Sequence, residues 1–171
     1  MAKRPKLKPI PKDHWPDLFV CAASVALISC FVSIGNPAEI VVVTSFASSA
    51  LAIMVAPDAA TNETRSVILS YIIATLASSF AIFLLHNVIT VFNNHETIFT
   101  FLKFFLLLFV TLFFFGIFDA YHPPSIGATL TYLIQPNLST TKLFIDVLIS
   151  LTILLIVIKP YTYYRQQKTL Q

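Results

Sequence analysis

The 171-residue chain is 57% hydrophobic and only 11% charged, with a mean hydropathy of +0.81. Soluble domains carry roughly 25% charged residues, and a domain of this length has too little interior to hide so many long apolar runs. The composition therefore excludes a soluble domain. It predicts one compact integral membrane unit without a second domain.

The formal net charge of +3 comes from basic residues near the two ends of the chain. Since cytoplasmic segments carry an excess of Lys and Arg, both termini are predicted to be cytoplasmic, in a bacterial inner (plasma) membrane. The basic tail joins an apolar run directly, so contact with anionic lipid is favoured over nucleic acid. The basic residues before the first span and at or after the end of the last one are Lys3, Arg4, Lys6, Lys8, Lys12, Lys159, Arg165 and Lys168.

Six hydrophobic segments, separated by polar or proline-containing turns, predict an all-α polytopic membrane protein. Most of them are close to the ~20 residues that cross a hydrocarbon core of ~30 Å. The fourth is rich in phenylalanine on all sides, which is typical of a lipid-facing helix, and the fifth is too short to cross alone. In chain order the segments cover 18–35, 38–56, 66–92, 97–118, 124–135 and 142–159. The predicted division is a basic cytoplasmic tail over 1–17, a transmembrane helical domain over 18–159 and a second cytoplasmic tail over 160–171.

An internal repeat relates the two halves, about 18–92 and 97–159. At an offset of 79 residues, Ser48-Ser49-Ala50-Leu51 falls over Gly127-Ala128-Thr129-Leu130, and Pro57-Asp58 falls over Pro136-Asn137. Each half then consists of a span, a small-residue helix and a span. Two arrangements stay open: six crossings with inverted halves, or four crossings with parallel halves and two re-entrant segments. The length of segment 38–56 favours six.

The pair Pro123-Pro124 interrupts the second half. Two consecutive prolines cannot continue a helix, but proline suits the first position of a new one. One helix is therefore predicted to end near Asp119 and a short, broken helix to begin near Pro124. The first N–H groups of that helix have no partner within it and carry the positive end of its dipole, which is an anion-binding geometry. These groups belong to Ser125, Ile126 and Gly127.

The motif His122-Pro123-Pro124 followed by Gly127-Ala128-Thr129, after the small-residue segment Ser45 to Ala50, resembles the HPP family of integral membrane proteins. The resemblance covers about residues 18–159. It implies a helical membrane fold and, because plastid and cyanobacterial members are implicated in nitrite transport, nitrite as a candidate substrate.

The sequence departs from the usual family pattern at three points. Ala47-Ser48-Ser49 replaces the common Gly-Ala-Ser, and Asn62-Glu63-Thr64-Arg65 stands where relatives commonly have Pro-Arg-Asn. Pro124-Ser125-Ile126-Gly127 contains one residue more than the familiar form. A divergent member can keep the fold and change what it carries.

Two groups of residues are candidates for chemistry. Hydroxyls and N–H groups on the two small-residue helices can replace part of the hydration shell of an anion, although the same hydroxyls are also common in helix packing. Carboxylates near the hydrocarbon are costly and are candidates for proton or gating roles; these are Asp119 and Asp146. Asp146 is one turn from the start of its helix, so a position at the membrane interface is its alternative interpretation. The predicted substrate-binding residues are His122, Ser125, Gly127, Thr129, Ser45, Ser48 and Ser49.

His122 has a second interpretation, in which it caps the helix break and forms a hydrogen bond with Asp119, three residues earlier. We expect no enzymatic activity, metal or cofactor, because the sequence contains no serine elbow, metal-spaced His/Cys cluster or Gly-rich phosphate loop. The predicted function is a channel or transporter for a small anion, working in the lipid bilayer as a homo-oligomer. The alternative is a structural or regulatory membrane protein without transport activity, and a weaker one is an intramembrane enzyme that uses Asp119 and His122.

Overall fold

The computed structural model describes residues 15–32, 37–88, 96–134 and 139–169, all of them in helices, turns or short connections. The all-α prediction is confirmed over these ranges. Two 3₁₀ turns, Ala60–Asn62 and Pro123–Ser125, precede the third and fifth helices. The helices are α1 (Trp15–Phe31), α2 (Pro37–Val55), α3 (Thr64–Val88), α4 (Glu96–Phe118), α5 (Ile126–Ile134) and α6 (Thr140–Thr169).

Two of the described helices are long and apolar enough to cross a membrane, over Thr100–Phe118 and Thr141–Gln167. Three shorter apolar helices accompany them, over Trp15–Phe31, Glu39–Val55 and Thr64–Phe80. Helix α4 leaves most of its phenylalanines exposed, as its composition predicts, and buries Phe115. On its outer surface Phe101, Phe105, Phe109 and Phe113 stack one turn apart, with ring centroids 6.0–6.3 Å from each other.

The helix contacts exchange between the two halves of the chain. Under the predicted repeat, α1, α2 and α3 correspond to α4, α5 and α6. Helix α1 packs on α6, and the corresponding pair, α4 and α3, is also in contact; the same holds for α2 on α6 and α5 on α3. Helices α2 and α5 pack on each other, and their closest link joins Ser45 to Pro124, 79 positions apart. Two repeats related by a pseudo-two-fold axis would give these contacts, although the repeat itself stays a prediction.

The two ends of the bundle are defined by polar contacts. At one end, here called the tail end, Tyr161 donates a hydrogen bond to Asp17 at 2.9 Å, and Lys159 donates to the Asn62 carbonyl at 2.5 Å. At the other end, here called the far end, Lys142 pairs with Glu39. Lys142 and Lys159 lie about 25 Å apart along α6, close to the thickness of a hydrocarbon core.

Helix α6 continues past the predicted boundary at Lys159 and runs through Pro160 to Thr169. A proline removes one backbone hydrogen bond and crowds the preceding turn, but neighbouring contacts can hold the helix together. Here Arg165 pairs with Asp17 at 2.5 Å and Gln166 donates to Asp58 at 2.7 Å. The segment predicted as a tail therefore packs on the bundle as helix, at least to Thr169.

Asn62 closes the C-terminus of α2 and fixes the connection to α3. Its side-chain amide donates to the carbonyls of Ala52 and Ala56, at 2.9 and 2.8 Å. Both carbonyls also accept a backbone bond, from the N–H groups of Ala56 and Ala59, at 3.0 and 3.1 Å, so Asn62 adds a second bond to each and fixes the last turn of the helix. The cap positions the neighbouring Thr61 carbonyl, which faces the break between α4 and α5.

Helices α2 and α5 approach closely where Gly127 meets Ser45. A Cβ added at Gly127 would lie 3.0 Å from the Cβ of Ser45 and 3.1 Å from its Oγ. Small residues permit such close packing of membrane helices. Gly116, in α4, is less constrained, because an added Cβ would meet only the exposed Tyr121 hydroxyl, at 3.2 Å.

We expect Gly127→Ala to destabilise the protein by about 1–3 kcal/mol, because the added methyl forces α2 and α5 apart. Thermal unfolding in detergent, followed by loss of the monodisperse peak in size-exclusion chromatography, measures the effect. Gly116→Ala is the matched control and should be neutral or stabilising, since alanine favours a helix over glycine. Equal stability of the two variants would contradict the close contact.

Candidate functional site

The break between α4 and α5 begins with Asp119, which has a left-handed backbone, φ 49°. This conformation ends many helices, and the next N–H, of Ala120, donates to the Phe115 carbonyl at 3.1 Å. The chain then turns inward, so that Tyr121 is half exposed and His122 is completely buried. The predicted helix end at Asp119 and restart at Pro124 agree with the structure to within about two residues.

Both ring nitrogens of His122 are hydrogen-bonded inside the protein. Nδ1 lies 2.9 Å from the Thr61 carbonyl and Nε2 lies 2.8 Å from the Ser49 hydroxyl. Because a carbonyl only accepts, Nδ1 carries the proton, and in a neutral ring Nε2 accepts from Ser49. The predicted hydrogen bond between His122 and Asp119 is absent from the described residues. The ring faces α2 and the turn before α3, and Asp119 is exposed.

A network of buried hydroxyls continues from Ser49. The Tyr71 hydroxyl, on α3, lies 2.7 Å from Ser49 Oγ and 3.0 Å from Ser45 Oγ. Ser45 donates to the Pro124 carbonyl at 2.5 Å. The Tyr71 ring stacks on Phe46 with centroids 4.2 Å apart, which fixes the direction of its hydroxyl. We call Ser45, Ser49, Tyr71 and His122 the His122 network.

The N-terminus of α5 uses its first N–H groups locally. The Ser125 N–H donates to the His122 carbonyl at 3.0 Å, and Ser125 Oγ donates to the same oxygen at 2.7 Å. The Ile126 N–H donates to the carbonyls of Pro123 and Pro124. The sequence predicted the N–H groups of Ser125, Ile126 and Gly127 to be free. The 3₁₀ turn Pro123–Ser125 pairs the first two, because its i to i+3 bonds are shorter in sequence than those of an α-helix.

Thr129, one turn into α5, has a buried side-chain hydroxyl without a hydrogen-bond partner. Its side chain is fully buried, and Oγ1 is the one buried side-chain polar atom in the described residues that has no hydrogen-bond partner. The carbonyl of Thr129 accepts from Ser78, on α3, at 3.1 Å. A buried hydroxyl without a partner costs about 1–3 kcal/mol, so this position is one where a bound water or solute would be stabilised.

The remaining predicted residues divide by position. Gly127 is half buried against Ser45, whereas Ser48 lies exposed on the outer surface of α2 and is separate from the others. Asp146 is buried toward the far end of the bundle, one helical turn from Lys142. The structure thus brings Ser45, Ser49 and His122 together and leaves Ser48 apart, while the role of these residues in substrate binding stays a prediction.

Several site residues were missed. Tyr71 and Thr61 give no local signal, because they reach His122 only through the tertiary fold. Glu39 is 2% exposed, and a signal for it existed: a carboxylate at the start of an apolar segment, opposite a lysine at the start of another. No group of three His, Cys, Asp or Glu side chains in the described ranges is placed to hold a metal ion.

A polar cavity of about 180 Å³ opens at the tail end beside the break. It reaches the His122 network through Thr61, whose carbonyl holds the imidazole. Arg65 contributes a guanidinium, which donates a long hydrogen bond of 3.4 Å to the Phe118 carbonyl. The lining consists of Ala60, Thr61, Glu63, Arg65, Ser66, Asp119 and Tyr121.

Comparison with known proteins supports the resemblance read from the motif. A family model described as HPP, transmembrane region, matches residues 8–168. No curated protein and no solved structure matches the chain. The match therefore covers the helices, the break and the polar residues gathered around it.

We expect Ser49→Ala to destabilise the protein by about 1–3 kcal/mol, because it leaves the buried Nε2 of His122 without a partner and leaves the Tyr71 hydroxyl with Ser45 alone. Ser48→Ala, one position away and exposed, should change stability by less than about 0.5 kcal/mol. Thermal unfolding of both variants in the same detergent compares them. A Ser49→Ala protein as stable as Ser48→Ala would show that the network contributes nothing to the fold.

Proposed function

The chain belongs to the HPP family of integral membrane proteins, and from this premise we propose that it is a channel or transporter for a small anion, with nitrite as the candidate substrate. The anion would pass between α2 and α5, close to the N-terminus of the helix that begins after His122-Pro123-Pro124. The resemblance supplies the candidate substrate. The geometry at the break supports the pathway.

One observation carries the proposal: an open polar cavity meets a buried imidazole and hydroxyl network in the interior of a membrane bundle. Polar groups inside a membrane domain are costly and commonly mark the route of a solute. The cavity of about 180 Å³ has room for a small hydrated ion, since a water molecule occupies about 30 Å³ in the liquid. Beyond it lie Ser49, Ser45 and the unpartnered Thr129 hydroxyl.

The hydrogen-bond donors in the cavity and in the interior behind it can bind an anion that has two oxygens. The planar guanidinium of Arg65 can donate to both oxygens at once. Glu63 and Asp119 also line the cavity and oppose an anion, but Glu63 interacts electrostatically with Lys159, which lowers its effect. Deeper in, the hydroxyls and the positive end of the α5 dipole replace water.

The described conformation is closed at His122. The imidazole is 0% exposed, and its bond to Ser49 lies across the line between the cavity and the interior. Passage therefore requires Ser49 to release Nε2, after which the ring and the freed hydroxyl can both face the solute. In this account His122 binds the anion in the open state and holds the break in the closed state.

One observation also favours the alternative function, that of a structural or regulatory protein without transport activity. The His122 network is fully paired and completely buried, which is also what a purely structural latch requires. The exposed phenylalanines of α4 would then contact lipid or another protein. Measurement of solute passage separates the two functions.

We expect purified protein in liposomes to pass nitrite faster than empty liposomes do, and Arg65→Gln to lower that flux about tenfold, the factor given by loss of a charge-assisted hydrogen bond of about 1.5 kcal/mol. Arg65→Lys keeps the charge and should retain more of the flux. The release of nitrite from loaded vesicles, measured colorimetrically, gives the rates.

His122→Ala is expected to reduce the flux as well, while Phe109→Leu, on the exposed surface of α4, should leave it unchanged. All variants must elute as a single peak in size-exclusion chromatography before reconstitution. Equal nitrite release from protein-containing and empty vesicles would overturn transport of nitrite. In that case an effect of His122→Ala confined to stability or oligomer size would favour the structural alternative.

A further inference from the structure

A second charged cluster lies at the far end of the bundle, outside the His122 network. Glu39 is 2% exposed and pairs with Lys142, and Asp146 is 8% exposed. Asp146 interacts electrostatically with both Lys142 and Glu39. Two nearly buried carboxylates therefore share the neighbourhood of a single ammonium group.

Asp146 is the member of this far-end cluster whose carboxylate has no direct partner among the described residues. Its backbone carbonyl accepts from Ser150 at 2.7 Å, but within the described residues its carboxylate accepts no hydrogen bond and forms no direct ion pair. Lys142 instead reaches Glu39. The carboxylate lies mostly inside the bundle without a direct ionic partner, and its oxygens are not fully enclosed, since Thr129 Oγ1 is the one such unpartnered atom in the described residues. Water can therefore reach the carboxylate, and its low exposure makes the ionised form more costly than at the surface.

The other ionisable side chains that the structure describes on the neighbouring helices lie at the tail end or are uncharged. Helix α1 brings Cys30 to this end, exposed and free, whereas its Asp17 lies at the tail end with Tyr161 and Arg165. On α3, Glu63 and Arg65 line the tail-end cavity. The side chain of His86, near the end of α3, lies outside the described residues.

The position of the cluster corresponds to that of the tail-end cavity under the predicted repeat. At the 79-residue offset seen in the Ser45 to Pro124 bond, Lys142 matches Glu63 and Glu39 matches Phe118. The tail-end counterparts are adjacent too, since Glu63 lies in the cavity and Arg65 donates to the Phe118 carbonyl. Lys142 and Glu63 thus place a charged group at equivalent positions at the two ends, whereas Asp146 matches Val67 and has no charged counterpart at the tail end.

We propose that Asp146, within the cluster of Glu39, Lys142 and Asp146, binds and releases the proton that moves together with the anion. This rests on the proposed function and assigns it a coupling ion. On loading, one oxygen of the Asp146 carboxylate forms an O–H bond with a proton from water, and the cluster becomes neutral. On unloading, that bond breaks and the proton returns to water on the other side of the membrane.

A proton removes the electrical cost of anion movement. Bringing one negative charge into a cell against an interior-negative potential costs about 2.3 kcal/mol per 100 mV. An anion that moves with one proton carries no net charge, so the potential no longer opposes it. With both termini cytoplasmic, as the basic ends predict, the cluster lies at the external mouth, where protons enter.

The test uses full-length protein in liposomes that contain a pH-sensitive dye, with the membrane potential clamped by potassium and an ionophore. An inward nitrite gradient should drive proton uptake above that of empty liposomes, and an imposed pH gradient should drive nitrite accumulation. Asp146→Asn should lose nitrite-driven proton uptake and keep the exchange of labelled for unlabelled nitrite at equal concentrations. Asp58→Asn, which removes an exposed carboxylate at the tail end, should keep both.

The possible outcomes separate coupling from transport. Wild-type protein that passes nitrite without proton uptake, or Asp146→Asn protein with undiminished proton uptake, overturns the role of Asp146 while transport stands. Wild-type protein that passes no nitrite overturns the transport proposal, and the coupling with it. If Asp146→Asn does not fold, accumulation of nitrite by the wild-type protein under a pH gradient decides, because it needs no variant.

Discussion

A helix broken inside a membrane bundle must find partners for its free polar groups within the protein, because hydrocarbon supplies none. The break at Pro123-Pro124 meets this requirement with contacts from three other elements. The connection before α3 gives the Thr61 carbonyl to the imidazole, α2 gives the Ser45 and Ser49 hydroxyls, and α3 gives Tyr71. Most of the tertiary structure near the tail end follows from this one demand.

Small residues make the interior of the bundle both polar and closely packed. Most buried hydroxyls donate to a carbonyl three or four residues earlier on their own helix, as Ser70, Thr75 and Ser150 do. Such bonds satisfy the hydroxyl without another helix and leave the surface free for close packing. The His122 network differs because its hydroxyls connect elements far apart in sequence, and Thr129 differs because its hydroxyl has no partner. These departures from the rule concentrate around α5.

The sequence predicts well those features that depend on local physics. The lengths of the apolar runs predicted the helices, and the paired prolines predicted the break. Both are local effects, because hydrophobicity and the missing proline N–H influence the residues that carry them. Prediction from the sequence failed where contacts between residues far apart in the chain determine the structure. Tyr71 and Thr61 lie 51 and 61 positions from His122, respectively, and a single proline at 160 reads as a helix end although contacts with Asp17 and Asp58 carry the helix onward.

The close contact of α2 with α5 also bears on the opening that the proposed transport requires. Gly127 touches Ser45, so any sliding of one helix over the other first strains this contact and then stretches the Ser45 to Pro124 and Ser49 to His122 bonds together. Bonds that share one interface break together, and packed interfaces have discrete rather than continuously variable arrangements. Opening at the break is therefore expected to be all-or-none.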